Sequence, residues 1–196
     1  MGLVKKWQIE KSNTLGLVNN LAEVKDGSIT PEKLSFGVLK KIAGVELTSS
    51  SPKIEFTDIP SNYEILYLVM SLKSSGSSQS NVRLRFNNES GAAYRWVRIY
   101  SNGSSVSTDS MFSSLDTSIN LGFINYTHFY LYDVTINNPD GYHKQTSSRF
   151  SEMSSPRIGL CGGNFIVGTK ASSIQIFIED GSNLSAGSKA YLYGFG

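Results

Sequence analysis

From Pro52 onward, apolar side chains recur at every second position between clusters of Gly, Ser, Asn and Asp, the pattern of half-buried strands separated by turns. The alternation predicts strands over 53–57, 64–73, 81–87, 94–101, 118–124, 128–137, 143–150, 156–160, 165–169, 174–180 and 190–195. In 81–87, Val82, Leu84 and Phe86 point one way while Arg83 and Arg85 point the other, so one face is core and the opposite face meets solvent or a partner. Ile174, Ile176 and Ile178 alternate with polar neighbours in the same sense, except that Phe177 sits on the polar side. The stretch 63–72 is apolar on both parities, as expected of a central strand covered on both faces. Strands of this length and spacing predict an all-β fold, an antiparallel jelly-roll-like β-sandwich over residues 52–196.

Before the Ser49-Ser50-Ser51-Pro52 break the pattern changes. Asp26-Gly27 is a turn signal, and Thr30-Pro31-Glu32 reads as a helix N-cap, first helical position and acidic first turn. Leu34, Val38 and Ile42 recur every four residues with Leu39 beside them, which predicts a short helix over about 31–42. Gly37 weakens that helix by roughly 1 kcal/mol, and its apolar stripe needs a partner. The apolar residues between Trp7 and Val24 show no long period and read as an extended arm with room for one further short helix. Residues 1–51 are accordingly expected to form an N-terminal anchoring arm, with Leu34, Val38, Leu39 and Ile42 as its docking stripe.

Composition narrows the class. Only 17% of residues are charged, and Ser, Asn, Thr and Gly take their place beside ten Tyr, ten Phe and two Trp. So many aromatics exclude an intrinsically disordered chain, and the shortage of Glu, Lys and Ala on would-be helical surfaces excludes a helical bundle. Net charge is +2, the seven arm lysines outnumber its acids, and every arginine lies after residue 51. A neutral body carries no basic funnel, so no nucleic-acid partner is expected. The amino terminus lacks the apolar core of a signal peptide and no apolar run spans a bilayer, so synthesis in the cytoplasm and no membrane span are expected.

Candidate chemistry is sparse. His128 and His143 have no neighbour at metal-ligand spacing, and Cys161 alone builds neither a disulfide nor a thiolate zinc site. Gly162-Gly163 after Cys161 lacks the spacing of a phosphate cradle and reads as a tight turn. Scattered acids read as solvated, and Asn88, Asn102, Asn125 and Asn183 head triplets that match the N-glycosylation acceptor. No catalytic residue, metal or cofactor is expected, and the chain reads as a non-enzyme. Tyr94, Trp96, Arg98 and Tyr100 share one parity and resemble a stacking platform. Large residues on the other parity (Val97, Ile99), and the same doubling around Tyr130 and Tyr132, instead favour a strand in the core or at a subunit interface. These six, Tyr94, Trp96, Arg98, Tyr100, Tyr130 and Tyr132, are the candidate oligomer or ligand face.

Three motifs follow one another through the chain. They are Ile54-x-Phe56-x-x-Ile59-Pro60-x-x-Tyr63-x-x-Leu66, Val82-x-Leu84-x-Phe86-Asn87, and a terminal Leu192-Tyr193-Gly194. In this order they resemble a β-sandwich domain of virion appendage proteins, as in phage tail-fibre and tail-associated proteins. Gly27-Ser28-Ile29-Thr30-Pro31-Glu32-Lys33-Leu34 resembles the linker that precedes such domains in trimeric fibres. The resemblance implies a virion structural protein in a tail, spike or vertex. Its arm would bind another capsid or tail protein, and its sandwich would form a homo-oligomer, a trimer with a pentamer as rival. Exposed loops would serve host attachment to a surface glycan or protein. The absence of a repetitive shaft favours a compact spike, vertex protein or tail adaptor over a distal fibre. The alternative expectation is a carbohydrate-binding module or lectin-like domain of a non-viral assembly.

Overall fold

The computed structural model describes residues 39–101, 103–152 and 157–195, and the backbone of 15–18 and 21–24. The chain divides into two units, Met1–Val38 and Leu39–Gly196. In the first, strands β1 (Leu15–Val18) and β2 (Leu21–Val24) pair antiparallel, where an unpaired extended arm was expected.

The second unit carries β3 (Lys40–Glu46), β4 (Lys53–Phe56), β5 (Ile65–Leu72), β6 (Ser80–Phe86), β7 (Tyr94–Ser101), β8 (Val106–Asp116), β9 (Ile119–Ile124), β10 (Tyr130–Asn137), β11 (Lys144–Glu152), β12 (Ile158–Phe165), β13 (Ile174–Ile178) and β14 (Lys189–Phe195). They form two sheets, with strand orders β3-β14-β5-β10-β11-β12-β7-β8 and β4-β13-β6-β9. All neighbouring strands pair antiparallel. The protein is all-β over its described residues, as the period-two pattern requires.

Two hairpins, β7–β8 and β11–β12, enter between strands that otherwise alternate from sheet to sheet. With them set aside, the remaining strands numbered along the chain run 1-8-3-6 in one sheet and 2-7-4-5 in the other. The hairpins continue the first sheet beyond β10. The core lies between the sheets, where Leu66, Leu68, Leu72, Leu84, Phe86, Val134, Ile136, Ile174 and Leu192 lose all contact with water. The extension is covered on its inner side by β9, which packs against β7, β10, β11 and β12. The Phe150 ring is seated between Gly122 of β9 and Gly159 of β12, and a Cβ built on either would fall inside that ring.

Four expectations are corrected here. The boundary at 51/52 moves to 38/39, because β3 pairs with β14 through Glu46–Lys189, Val45–Ala190 and Gly44–Tyr191 and belongs to the large sheet. The helix over about 31–42 does not reach its expected end. Leu39 is exposed and outside any helix, and Ile42 falls in β3 at a bulge opposite Leu192 and Tyr193, packed against the core. Leu34, Val38 and the rest of the expected helix lie outside the described residues. The Gly162-Gly163 turn is instead the middle of one strand, β12, which replaces the two short strands expected there. Gly163 gives room for Ile119, whose Cγ2 would lie 2.5 Å from a Cβ at that position. Strand β8 was not expected at all. The outer parity of β5 is less covered than expected, with Ile65 and Tyr67 half-buried and Val69 exposed.

Four variants test this packing. Gly159→Ala should lower the urea midpoint by an amount equivalent to about 2 kcal/mol, since the Phe150 ring must leave its seat. Gly162→Ala should stay near wild type, because its Cβ would meet only Val97 Cγ1, at 3.7 Å. Removal of residues 1–38 should leave a cooperatively melting β-rich body. Removal of residues 1–51 should lower its melting temperature by stripping β3 from β14, and equal melting of the two truncations would contradict the placement of β3.

Candidate functional site

The six residues expected to form an oligomer or ligand face lie together on the inner side of the large sheet and not on its outer side. Tyr94, Trp96, Arg98, Tyr130 and Tyr132 are buried between the sheets and Tyr100 is half-buried, so of the two expectations, core strand or oligomer and ligand face, the residues take the core and the face is corrected. The physical reason is that the polar tip of each of the five buried residues finds a partner inside. Tyr94 Oη accepts the Phe86 N–H at 3.0 Å and donates to the Glu89 carbonyl, and burial pushes its pKa up to about 12. Trp96 Nε1 donates to Asp116 at 2.7 Å, and the Arg83 guanidinium stacks over the indole while pairing with Asp116 and Glu179. Arg98 donates from Nε to Asp109 at 2.9 Å and from Nη1 to Asn81 at 2.7 Å, with its guanidinium 4.0 Å from the Phe123 ring centroid. Tyr132 donates to the Phe123 carbonyl, and Tyr130 takes a hydrogen bond from Asn125.

Other candidate groups are equally engaged. Burial raises the Cys161 pKa to about 12, which keeps it a thiol at neutral pH. His128 Nδ1 lies 3.5 Å from a Glu152 carboxylate oxygen, while His143 is exposed on the turn before β11. Asn125 donates its amide to Tyr130 and its Oδ1 accepts the N–H groups of Thr127 and His128, so this acceptor triplet closes a turn. Lys144 is fully buried and its ammonium donates to the carbonyls of Pro139, Tyr142 and Gly168, tying the β10–β11 turn to the segment after β12. Among the described residues no three His, Cys, Asp or Glu side chains converge as a metal site, and no helix is long and apolar enough to cross a membrane.

The surface feature that sequence parity foreshadowed is the opposite side of the same strands. Inward placement of Tyr94, Trp96 and Arg98 sends Arg95, Val97 and Ile99 outward, and the register carries the exposed face across the extension. One cross-strand row reads Asp133, Arg149, Leu160, Ile99 and Thr108, and the next reads Leu131, Ser151, Ile158, Ser101 and Val106. Ile99, Val106, Leu131, Ile158 and Leu160 remain 46–70% exposed and line a shallow groove of about 640 Å³. Asp133 and Arg149 pair at 3.0 Å at its edge. Val97, Ile99 and Leu131 were visible in the sequence as the second parity; Ile158 and Leu160 became part of the face only through the pairing of β12 with β7.

Comparison of the sequence with protein-family models and with curated proteins finds no match.

The Asp116 network generates a pH prediction. Burial pushes the Asp116 pKa up, but hydrogen bonds from Trp96 and the Thr117 N–H and the charge of Arg83 outweigh it and leave the carboxyl below its ordinary range. Such a group stabilises the fold above its unfolded pKa of about 3.9, and the contribution is lost as pH falls through the lower folded value. Asp116→Asn should therefore lower the urea midpoint at pH 7 and flatten its decline below pH 4. An acid limb parallel to wild type would remove Asp116 from the account.

Proposed function

We propose that the chain is a structural, non-catalytic component of a virion appendage, with the unit before Leu39 as anchor to another capsid or tail protein and the sandwich as a projecting homo-oligomer. The observation that carries this reading is the apolar outer face at Ile99, Val106, Leu131, Ile158 and Leu160. Monomeric soluble proteins rarely leave such a contiguous patch in water, and three copies of the face converging about a threefold axis would remove it. The 1-8-3-6 and 2-7-4-5 strand orders support a jelly roll, an architecture used by viral capsid and lectin domains. The resemblance of the Ile-x-Phe, Val-x-Leu-x-Phe-Asn and terminal Leu-Tyr-Gly motifs to tail-fibre domains supplies the virion location and the trimer count. Host attachment falls to the exposed loops and sheet face, and synthesis to the host cytoplasm.

The lectin-like alternative shares the jelly roll and differs in mass. Sedimentation of the full chain at micromolar concentration should give a trimer that persists in 0.5 M salt, since apolar burial rather than ion pairing holds it. Ile99→Ser with Leu160→Ser should give a monomer with an unchanged circular dichroism spectrum. A wild-type monomer at that concentration would refute self-association through this face.

A further inference from the structure

The outer face of the extension is zoned along its strands. Two rows away from the apolar groove, the register aligns Asn137, Gln145, Asn164 and Arg95 on β10, β11, β12 and β7, all exposed. Among the described residues the three exposed amides have no hydrogen-bond partner. Arg95 is distinctive in the same way. Arg83, Arg85, Arg98, Arg149 and Arg157 each donate to a protein oxygen. The Arg95 guanidinium instead rests 5.7 Å from the ring centroid of Phe112, itself 69% exposed, and its N–H fork has no acceptor among the described residues. Between Arg95, Phe112, Gln145 and Asn164 lies a groove of about 280 Å³ floored by Gly162, where a Cβ would have only Val97 for a neighbour.

We propose that this groove binds an acidic oligosaccharide, with a carboxylate on the Arg95 fork, vicinal hydroxyls on the Gln145 and Asn164 amides, and one sugar face against Phe112. Each part has its chemical ground. A free guanidinium fork matches a carboxylate in two parallel hydrogen bonds. An amide offers one donor side and one acceptor side, the complement of a pair of neighbouring hydroxyls. Neighbouring strands stand about 4.8 Å apart, close to the length of one pyranose along a glycan chain, so successive amides in the row meet successive sugars. A phosphate ligand would satisfy Arg95 but leave the amide row and the aromatic ring unused. The proposal rests on the attachment reading for its purpose, and on the groove alone for its chemistry.

The test titrates the full chain with trigalacturonic acid and 3′-sialyllactose, and with maltotriose and lactose as neutral counterparts, by calorimetry and saturation-transfer NMR. At least one acidic sugar should bind with millimolar or tighter affinity, and its neutral counterpart at least about tenfold more weakly, the scale of one charge-assisted contact. Arg95→Gln and Phe112→Ala should each reduce binding about tenfold with unchanged circular dichroism. The proposal is overturned if neither acidic sugar binds at 20 mM, if neutral sugars bind equally, if Arg95→Gln leaves affinity unchanged, or if inorganic phosphate competes as well as the sugar. Sedimentation of the same sample separates this outcome from failure of the oligomeric reading, because a monomer that binds sugar and a trimer that does not are distinct results.

Discussion

A four-stranded sheet is too narrow to cover an eight-stranded one. At about 4.8 Å per strand the larger sheet outruns the smaller by roughly 20 Å, and the inward side chains of that overhang must be shielded some other way. The solution is concentrated on β9 and on amphipathic side chains. Ile119, Leu121 and Ile124 of β9, the strand that packs against the extension, are fully buried, while Phe123 takes Tyr100 and Phe150 edge-on. Beyond them Arg83 and Arg98 lay their guanidinium planes on Trp96 and Phe123 and turn their N–H groups to Asp116 and Asp109. An arginine can close such a margin where an aliphatic residue cannot, because its flat face packs on a ring while its edge meets carboxylates at the rim.

The motifs that bind the body together owe their spacing to contacts between its two ends. Tyr63, from the Ile-Pro-x-x-Tyr segment, lies directly on Gly194 of the last strand, and a Cβ at 194 would enter its ring. Asn87, which closes the Val-x-Leu-x-Phe-Asn motif with a positive φ of 52°, accepts the N–H groups of Ser172 and Ser173 and donates to the Lys170 carbonyl. It thereby fixes the β6–β7 turn to the entry of β13. Each motif is thus one half of a contact whose other half lies more than eighty residues away.

That separation explains what could and could not be read from the chain. Strands β6, β7, β10 and β13 carry their own alternation and were legible from it. Strand β3 was not, since Leu34, Val38 and Ile42 match a helical repeat and only the backbone groups offered by β14 draw residues 40–46 into a ladder. Strand β8 is polar because it is an edge, where Ser, Thr and Asp discourage further pairing, so its pattern resembles a loop. The glycines of β12 resemble a turn until Phe150 and Ile119 are seen to occupy the space that side chains at 159 and 163 would need.

The sequence left core and interface open for the candidate face because parity alone does not choose between them. Large residues on both parities of β7 established that two surfaces had to be covered but not which parity faced the second sheet. The tips decide it. Tyr94, Trp96 and Arg98 end in hydrogen-bonding groups, and the interior supplies Phe86, Asp116 and Asp109 to meet them, so burial strands none of these three tips. Ile99, Ile158 and Leu160 have nothing to satisfy and also nothing to gain from water. Full burial of each such side chain is worth about 1.5–3 kcal/mol, so a surface that holds several of them in one groove is stabilised by any partner that fits it. At the other end of the same strands the exposed groups are amides and a guanidinium, whose water-bonded state a polar ligand can replace bond for bond. One sheet face therefore presents two chemistries, apolar around Ile99 and Leu160 and polar two rows away around Arg95 and Asn164.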